Sequence, residues 1–180
     1  MLFGMWLLVA CFCSPVRADT SSRCNRPKIT WLTGTLRTGP QYRLMGCRSE
    51  AAAFNRIQEL AKQKDPEALY ILGRVYELGG NHFGLTNVKE NVHLAQKYYL
   101  ESARLGYAEA QNEMGWWYAH FYAFKDKNSH FWFCKAALQH NDNAISNLQA
   151  KIAYSHSFEG KLEMTWQQFC KPIIAKGEPK

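Results

Sequence analysis

An internal repeat is the feature of this sequence that most constrains its fold. Residues 65–76, DPEALYILGRVY, align with residues 107–118, YAEAQNEMGWWY, at an offset of 42. Most matched positions are small or apolar and recur every three or four residues, which is typical of helices that pack through one face. The matched pairs are Glu67 with Glu109, Ala68 with Ala110, Leu72 with Met114, Gly73 with Gly115, and Tyr76 with Tyr118.

A third and weaker copy follows at an offset of 34. Residues 102–114, SARLGYAEAQNEM, align with residues 136–148, AALQHNDNAISNL. Periods of this size, with two helical patterns per unit, predict an α-solenoid whose units bury their apolar faces against their neighbours. We therefore predict an all-α repeat domain over residues 49–176. The predicted helices are 49–63, 66–78, 90–105, 108–122, 129–139, 142–154 and 161–175.

Residues 19–48 lack this pattern and are predicted to form a short N-terminal cap. Apolar and polar residues partly alternate on either side of Thr38-Gly39-Pro40-Gln41, a turn-like sequence, which predicts a hairpin. The hairpin would bring Cys24 and Cys47 together at the start of the first repeat helix. We predict a disulfide between them.

Residues 1–18, MLFGMWLLVACFCSPVRA, predict a secretory signal peptide that is cleaved after Ala18. The alternative is a lipoprotein signal, because Leu8-Val9-Ala10-Cys11 resembles a lipobox and would place a lipid anchor on Cys11. No segment has the roughly 18 unbroken apolar residues that a spanning helix needs. The sequence therefore predicts a periplasmic or secreted protein without a transmembrane segment.

Cleavage after Ala18 leaves four cysteines: Cys24, Cys47, Cys134 and Cys170. An even number in an exported chain predicts two disulfides, for which three connectivities exist. The sequence has neither a CxxC pair among these four nor an HExxH motif, which counts against a zinc site. The net charge is +7, but no two Lys or Arg residues are adjacent, which counts against a nucleic-acid partner.

The second disulfide is predicted from a repeated tripeptide, because Phe133-Cys134-Lys135 recurs as Phe169-Cys170-Lys171. Equivalent residues on neighbouring repeats lie about 8–10 Å apart, whereas a disulfide needs Cα atoms within about 7 Å. Cys134 and Cys170 can therefore pair only if the last helix departs from the regular stack. Pro172, inside that helix, favours such a departure, and we predict the bridge.

The chain resembles the Sel-one-like repeat family, which is related to the tetratricopeptide repeats. That family has an Ala-x-x-x-Leu-Gly-x-x-Tyr first helix, a Gly-rich loop, and an aromatic second helix that ends in Ala-Ala-x-x-Gly. The second repeat here has His140-Asn141 in place of the terminal Gly, and the third has degenerated. The first repeat matches at Ala68, Leu72, Gly73, Tyr76, Gly79, Ala95, Tyr99, Ala103 and Gly106, and the second at Ala110, Gly115, Tyr118, Trp132, Ala136 and Ala137. The resemblance implies a right-handed α-solenoid of helix-turn-helix repeats.

The same resemblance implies protein binding, with no catalytic residues and no cofactor. Exported bacterial members include small periplasmic immunity proteins that neutralise type VI secretion toxins such as phospholipases. Our leading hypothesis is therefore an exported interaction module, most specifically an immunity or inhibitor protein, and the alternative is an envelope scaffold or secretion adaptor. An enzyme acting on cell-wall or β-lactam substrates is the competing class, but the sequence contains no Ser-x-x-Lys. Its six histidines also lack ligand spacing and a paired carboxylate.

First helices line the concave side of such arrays, which predicts a partner-binding surface on the first two repeats. Trp and Arg are common anchors of protein interfaces. The alternative is that one or both tryptophans of the run GWWYAHFYAF, residues 115–124, pack between repeats. The predicted surface consists of Tyr70, Arg74, Asn112, Trp116, Trp117 and His120.

Overall fold

The computed structural model describes residues 24–31, 42–122, 127–159 and 164–179. The predicted signal segment, Cys11 and the turn at Thr38-Gly39-Pro40-Gln41 lie outside these residues. Two strands precede seven α-helices in the described chain. The strands are β1 (Lys28–Trp31) and β2 (Tyr42–Met45), and the helices are α1 (Glu50–Lys62), α2 (Pro66–Leu78), α3 (Val92–Arg104), α4 (Ala108–Tyr122), α5 (Lys127–Ala137), α6 (Asp142–Glu159) and α7 (Trp166–Ala175).

The helices form the predicted solenoid. Helices α2 and α3 make the first helix-turn-helix pair and α4 and α5 the second, while α3 packs on α4 and α5 on α6 to join successive units. The end of α6 and the start of α7 differ most from the prediction, by five residues each, since α6 continues to Glu159 rather than ending at residue 154. A capping box formed by Thr165 and Gln168 begins α7 at Trp166 rather than at residue 161. None of the described helices combines the length and apolarity needed to cross a membrane.

Each helix pair crosses at a glycine that faces an aromatic ring. A Cβ atom added at Gly73 would lie 2.5 Å from Cδ1 of the buried Tyr99, and one added at Gly115 would lie 2.5 Å from Cδ1 of the buried Phe133. Glycine is normally unfavourable within a helix, so its presence at both crossings has a packing cause. The two repeats thus use the same contact, and the aromatic residue follows the glycine by 26 residues in the first and 18 in the second.

The repeats also share one helix ending. Lys64, Gly106 and His140 all adopt a left-handed backbone, with φ of 63°, 96° and 61°. In each case the following N–H bonds to the carbonyl five residues earlier, which is the Schellman arrangement. The bonds run from Asp65 to Leu60 (3.1 Å), from Tyr107 to Ser102 (3.2 Å) and from Asn141 to Ala136 (3.2 Å). The structure therefore keeps the repeat boundary at His140, where the sequence has lost the glycine.

Replacing His140 with glycine is expected to stabilise the protein by about 0.5–1 kcal/mol, because glycine adopts this backbone without the steric cost that a Cβ atom adds. The matched change, Gly106→Ala, should destabilise it by about 1–2 kcal/mol. Chemical denaturation of both variants measures the two shifts. If both substitutions changed the stability in the same direction, the result would contradict a left-handed helix ending shared by residues 106 and 140.

The N-terminal segment caps the first repeat as predicted. Strands β1 and β2 pair antiparallel, with Lys28 opposite Met45 and Trp31 opposite Tyr42. The disulfide Cys24–Cys47 closes this segment, with a Cα–Cα distance of 4.4 Å. Leu44 is buried against α1 and α2, so the hairpin covers the apolar end of the solenoid.

The longest loop, residues 79–91, folds back onto the same cap. It begins with a 3-10 turn at Gly80–Phe83, and Phe83 is fully buried while its ring stacks on Tyr42 with a 5.1 Å centroid separation. Leu85 is buried as well. The apolar residues of this loop serve internal packing.

The C-terminal helix departs from the regular stack, as the cysteine pairing required. Helix α7 packs mainly on α5 and much less on α6. The disulfide Cys134–Cys170 joins α5 to α7 with a Cα–Cα distance of 5.3 Å, and both cysteines are buried. Ile173 and Ile174 extend the contact to the core of the second repeat. Both predicted disulfides are thus present.

Candidate protein-binding face

One side of α2 and one side of α4 together form the candidate site, which we call the α2–α4 face. Their exposed or half-buried residues recur every three or four positions, so each helix presents a continuous stripe. Tyr107, just before α4, bridges the two stripes because its ring lies 5.3 Å from that of Tyr70 on α2. The face consists of Glu67, Tyr70, Arg74 and Glu77 from α2, Tyr107, and Glu109, Glu113, Trp116, Trp117 and His120 from α4.

Arg74 is held in a fixed position on this face. Its Nη1 lies 2.9 Å from Glu77 Oε2, and its Nη2 donates a hydrogen bond to the Tyr42 hydroxyl at 3.2 Å. The Tyr99 hydroxyl donates to the same Glu77 oxygen at 2.7 Å. Because the guanidinium is tied to both the cap and the second helix of its repeat, it is preorganised rather than mobile.

The tyrosines beneath Arg74 form a packed aromatic layer. The Tyr70 ring lies 5.8 Å from Tyr99, and the Tyr99 ring lies 6.5 Å from Trp117. Burial, reinforced by the charge of Glu113, raises the pKa of Tyr70 to about 12. The Tyr70 hydroxyl therefore stays protonated at neutral pH and remains available as a hydrogen-bond donor.

Glu113 is a carboxylate whose charged form the fold disfavours. Burial raises its pKa, and the nearby charge of Glu77 adds to this, while Arg74 partly opposes both. Within the described chain no basic nitrogen lies within 4 Å of Glu113. In its ionised form Glu113 is thus a half-buried charge without an ion-pair partner among the described residues, which is energetically unfavourable.

Replacing Glu113 with glutamine is therefore expected to raise the melting temperature at pH 7. The pKa of this group is higher in the folded state, so ionisation destabilises the fold once the pH rises above the ordinary value of about 4.3. The advantage of the variant should shrink as the pH falls towards that value and vanish below it, because both chains are then neutral at this position. Thermal melts of the two proteins between pH 3.5 and 8 measure the difference. A difference in melting temperature that stays constant over that range would contradict the claim that the Glu113 charge destabilises the fold.

The two tryptophans of the predicted surface have different environments. Trp116 is 38% exposed, and the edge of its ring contacts Phe133 with a 5.9 Å centroid separation. Trp117 is half-buried and packs against the core of the second repeat. His120 is exposed one turn further along α4. Trp116 thus presents a large aromatic surface to solvent from a rigid helix.

Asn112 lies apart from the other predicted residues. It is 6% exposed, and its Oδ1 accepts a hydrogen bond from Asn147 Nδ2 on α6 at 3.1 Å. The side chain therefore joins α4 to α6. Of the predicted residues, Tyr70, Arg74, Trp116, Trp117 and His120 are half-buried or exposed on α2 and α4, whereas Asn112 lies between two helices.

Five residues of the face are absent from the predicted set: Glu67, Glu77, Tyr107, Glu109 and Glu113. The spacing carried a signal for the four glutamates, because positions 67, 70, 74 and 77 share one side of α2 and positions 109, 113 and 116 share one side of α4. Tyr107 has no such signal, since its place beside Tyr70 depends on how α4 packs against α2.

The described residues contain no group of three or more His, Cys, Asp and Glu side chains that could hold a metal ion. The face instead combines one fixed guanidinium, several carboxylates and exposed aromatic surface. Such a set can hold another protein through ionic and aromatic contacts.

The fold is similar to that of a known repeat protein. The crystal structure of c5321, a protective antigen present in uropathogenic Escherichia coli strains that displays an SLR fold, matches 61% of this chain with a TM-score of 0.51 and 26% identity. This chain covers 23% of c5321, so it spans about a quarter of that protein's length. No family model matches the sequence, and neither does any curated protein. The chain has a Sel-one-like repeat fold, which supports a protein-interaction module.

Proposed function

We propose that this protein is an exported interaction module that binds its partner through the α2–α4 face. Most specifically, we propose a periplasmic immunity protein that binds and neutralises a secreted antibacterial toxin, such as a type VI secretion phospholipase. The interaction module rests on the repeat fold and on the face, whereas the toxin follows from the sequence resemblance.

The contrast between Arg74 and Trp116 carries this proposal. These two residues occupy the same repeat position, directly after the conserved crossing glycine. The crossing itself is the same in both repeats, yet the residue that each presents to solvent differs completely in chemistry. Repeat proteins build partner-specific surfaces in this way, on a backbone that stays constant.

The two disulfides support an exported location. Cys134 and Cys170 are bridged inside the helical core, and Cys24 and Cys47 close the cap. Such bridges persist in oxidising compartments and are rare in the reducing cytosol. An exported chain that has a rigid aromatic face and fixed charges is suited to capture another protein outside the cytoplasm.

The test is capture of the partner from envelope extracts by the purified protein and two variants. Trp116→Ala removes the exposed anchor of the face. Leu138→Ala is the matched control, because Leu138 is 50% exposed and lies outside the face, at the C-terminal end of α5, the second helix of its repeat. We expect the wild type and Leu138→Ala to retain one specific protein. Trp116→Ala should weaken its binding by roughly tenfold or more, the loss expected of an interface anchor.

The toxin part of the proposal needs a cellular readout. A strain that lacks this gene should become sensitive to the toxin that this protein is proposed to bind, and wild-type protein should restore resistance while Trp116→Ala should not. Unchanged sensitivity, together with a captured partner that is not a toxin, would refute the immunity role. An envelope scaffold would then explain the binding.

A further inference from the structure

On the premise of the proposed function, we infer that the partner is a protein with a basic segment, and that one of its Lys or Arg side chains binds beside Glu109 and Glu113 with its stem against Trp116. The inference specifies the chemistry of the partner. It rests on three properties of the α2–α4 face: its charge, its uncompensated carboxylates and the position of its exposed aromatic ring.

The first property is a local charge opposite to that of the chain. The whole sequence has a net charge of +7, yet the α2–α4 face carries four glutamates and one arginine. The charges of Glu109 and Glu113 act on Tyr70, and those of Glu67 and Glu109 act on Tyr107, so these groups lie close together in space. An acidic face on a basic protein attracts cationic groups and repels acidic ones.

The second property distinguishes two of the four glutamates. Glu77 is paired with Arg74 at 2.9 Å, and Glu67 with Arg26 at 3.5 Å. Glu109 and Glu113 have no basic nitrogen within 4 Å in the part of the chain that the structure describes. Among the described residues, the carboxylates on α2 are therefore paired, whereas those on α4 have no ion-pair partner.

The third property is the position of Trp116. Residues 109, 113 and 116 lie at successive turns on one side of α4, so the exposed indole follows the two carboxylates along the same stripe. Lys and Arg side chains combine an apolar stem with a charged end, and both stack on tryptophan. A basic side chain can thus contact the indole and a carboxylate together, whereas an apolar side chain leaves Glu113 without a counter-ion.

The experiment selects phage-displayed random 12-residue peptides on the full chain and compares the best synthetic peptide with three variants. Glu109→Gln/Glu113→Gln removes both charges and keeps the side-chain volumes. Trp116→Ala removes the aromatic ring. Glu59→Gln/Glu90→Gln is the matched control, because it removes two exposed charges from outside the face.

We expect the selected peptides to be enriched in Lys and Arg. Their dissociation constant should rise about tenfold in Glu109→Gln/Glu113→Gln and with added salt, and should stay unchanged in the control. The removal of the Glu113 charge is expected to stabilise the fold, so weaker binding in this variant cannot be attributed to unfolding.

Two other outcomes separate this inference from the function on which it rests. Neutral or acidic peptides whose binding depends on Trp116 but not on the glutamates would refute the inference that the partner is basic. They would still support binding through the α2–α4 face. Peptides whose binding depends on neither Trp116 nor the glutamates, or a selection that yields no binders, would overturn both the inference and the proposed use of this face.

Discussion

Replacing Cys134 and Cys170 together with alanine is expected to lower the free energy of unfolding by about 3–4 kcal/mol. The bridge joins residues 36 positions apart and restricts the unfolded chain accordingly. The loss should concentrate in α7, because this helix packs mainly on α5 and touches α6 little. Hydrogen exchange should therefore show faster exchange throughout α7, while α2 and α3 keep their protection.

The matched control is Cys24→Ala/Cys47→Ala, which removes the other bridge. That variant should loosen the hairpin and leave α7 protected, because the two bridges lie at opposite ends of the solenoid. Retained protection of α7 in the Cys134→Ala/Cys170→Ala variant would show that apolar contacts alone hold the last helix in place.

Replacing Gly115 with valine is expected to destabilise the protein by about 2–3 kcal/mol. A Cβ atom at this position would lie 2.5 Å from the ring of Phe133, which is 3% exposed and cannot move aside without disturbing the core. Helix propensity acts weakly in the opposite direction, since glycine is a poorer helix former than valine by a few tenths of a kcal/mol. A destabilising sign is therefore diagnostic of the crossing, and urea denaturation measures it.

The repeat supplies an internal control for this prediction. Gly73→Val should have a similar effect, because a Cβ atom there meets Tyr99 at the same distance. Combining Gly115→Val with Phe133→Leu should cost less than the sum of the two single changes, since the smaller side chain relieves the overlap. Strict additivity would contradict a direct contact between position 115 and the ring.

The sequence predicted the repeat register well, because the positions that carry it are under tight steric control. Gly73 and Gly115 have no room for a side chain, and the Asp65 cap that starts α2 is set by local residues. The departure of the last helix was predictable for a related reason, since the distance between equivalent residues is incompatible with a disulfide.

The left-handed ending at His140 was not predictable in the same way. Glycine marks this conformation at residue 106, whereas His140 bears the steric cost and gives no signal of its own. The surrounding helices impose the backbone there. A boundary fixed by tertiary packing leaves little trace in the local sequence.

The candidate face was predictable only in part. Aligning the repeats placed Arg74 and Trp116 at the same repeat position, and the structure has Arg74 half-buried and Trp116 exposed. The alignment could not show that Asn112 bonds to Asn147, or that Glu113 has no ion-pair partner among the described residues. Both facts depend on side chains from neighbouring helices, and the residue pattern along one helix gives no information about those contacts.

Photo-crosslinking from defined positions tests the central claim most directly. The photoreactive residue p-benzoylphenylalanine would replace His120 on the α2–α4 face or Val92 on α3, the second helix of the first repeat, two positions that are both exposed. The account predicts that light crosslinks the partner to position 120 and not to position 92. Crosslinking from position 92 alone would contradict binding through the α2–α4 face.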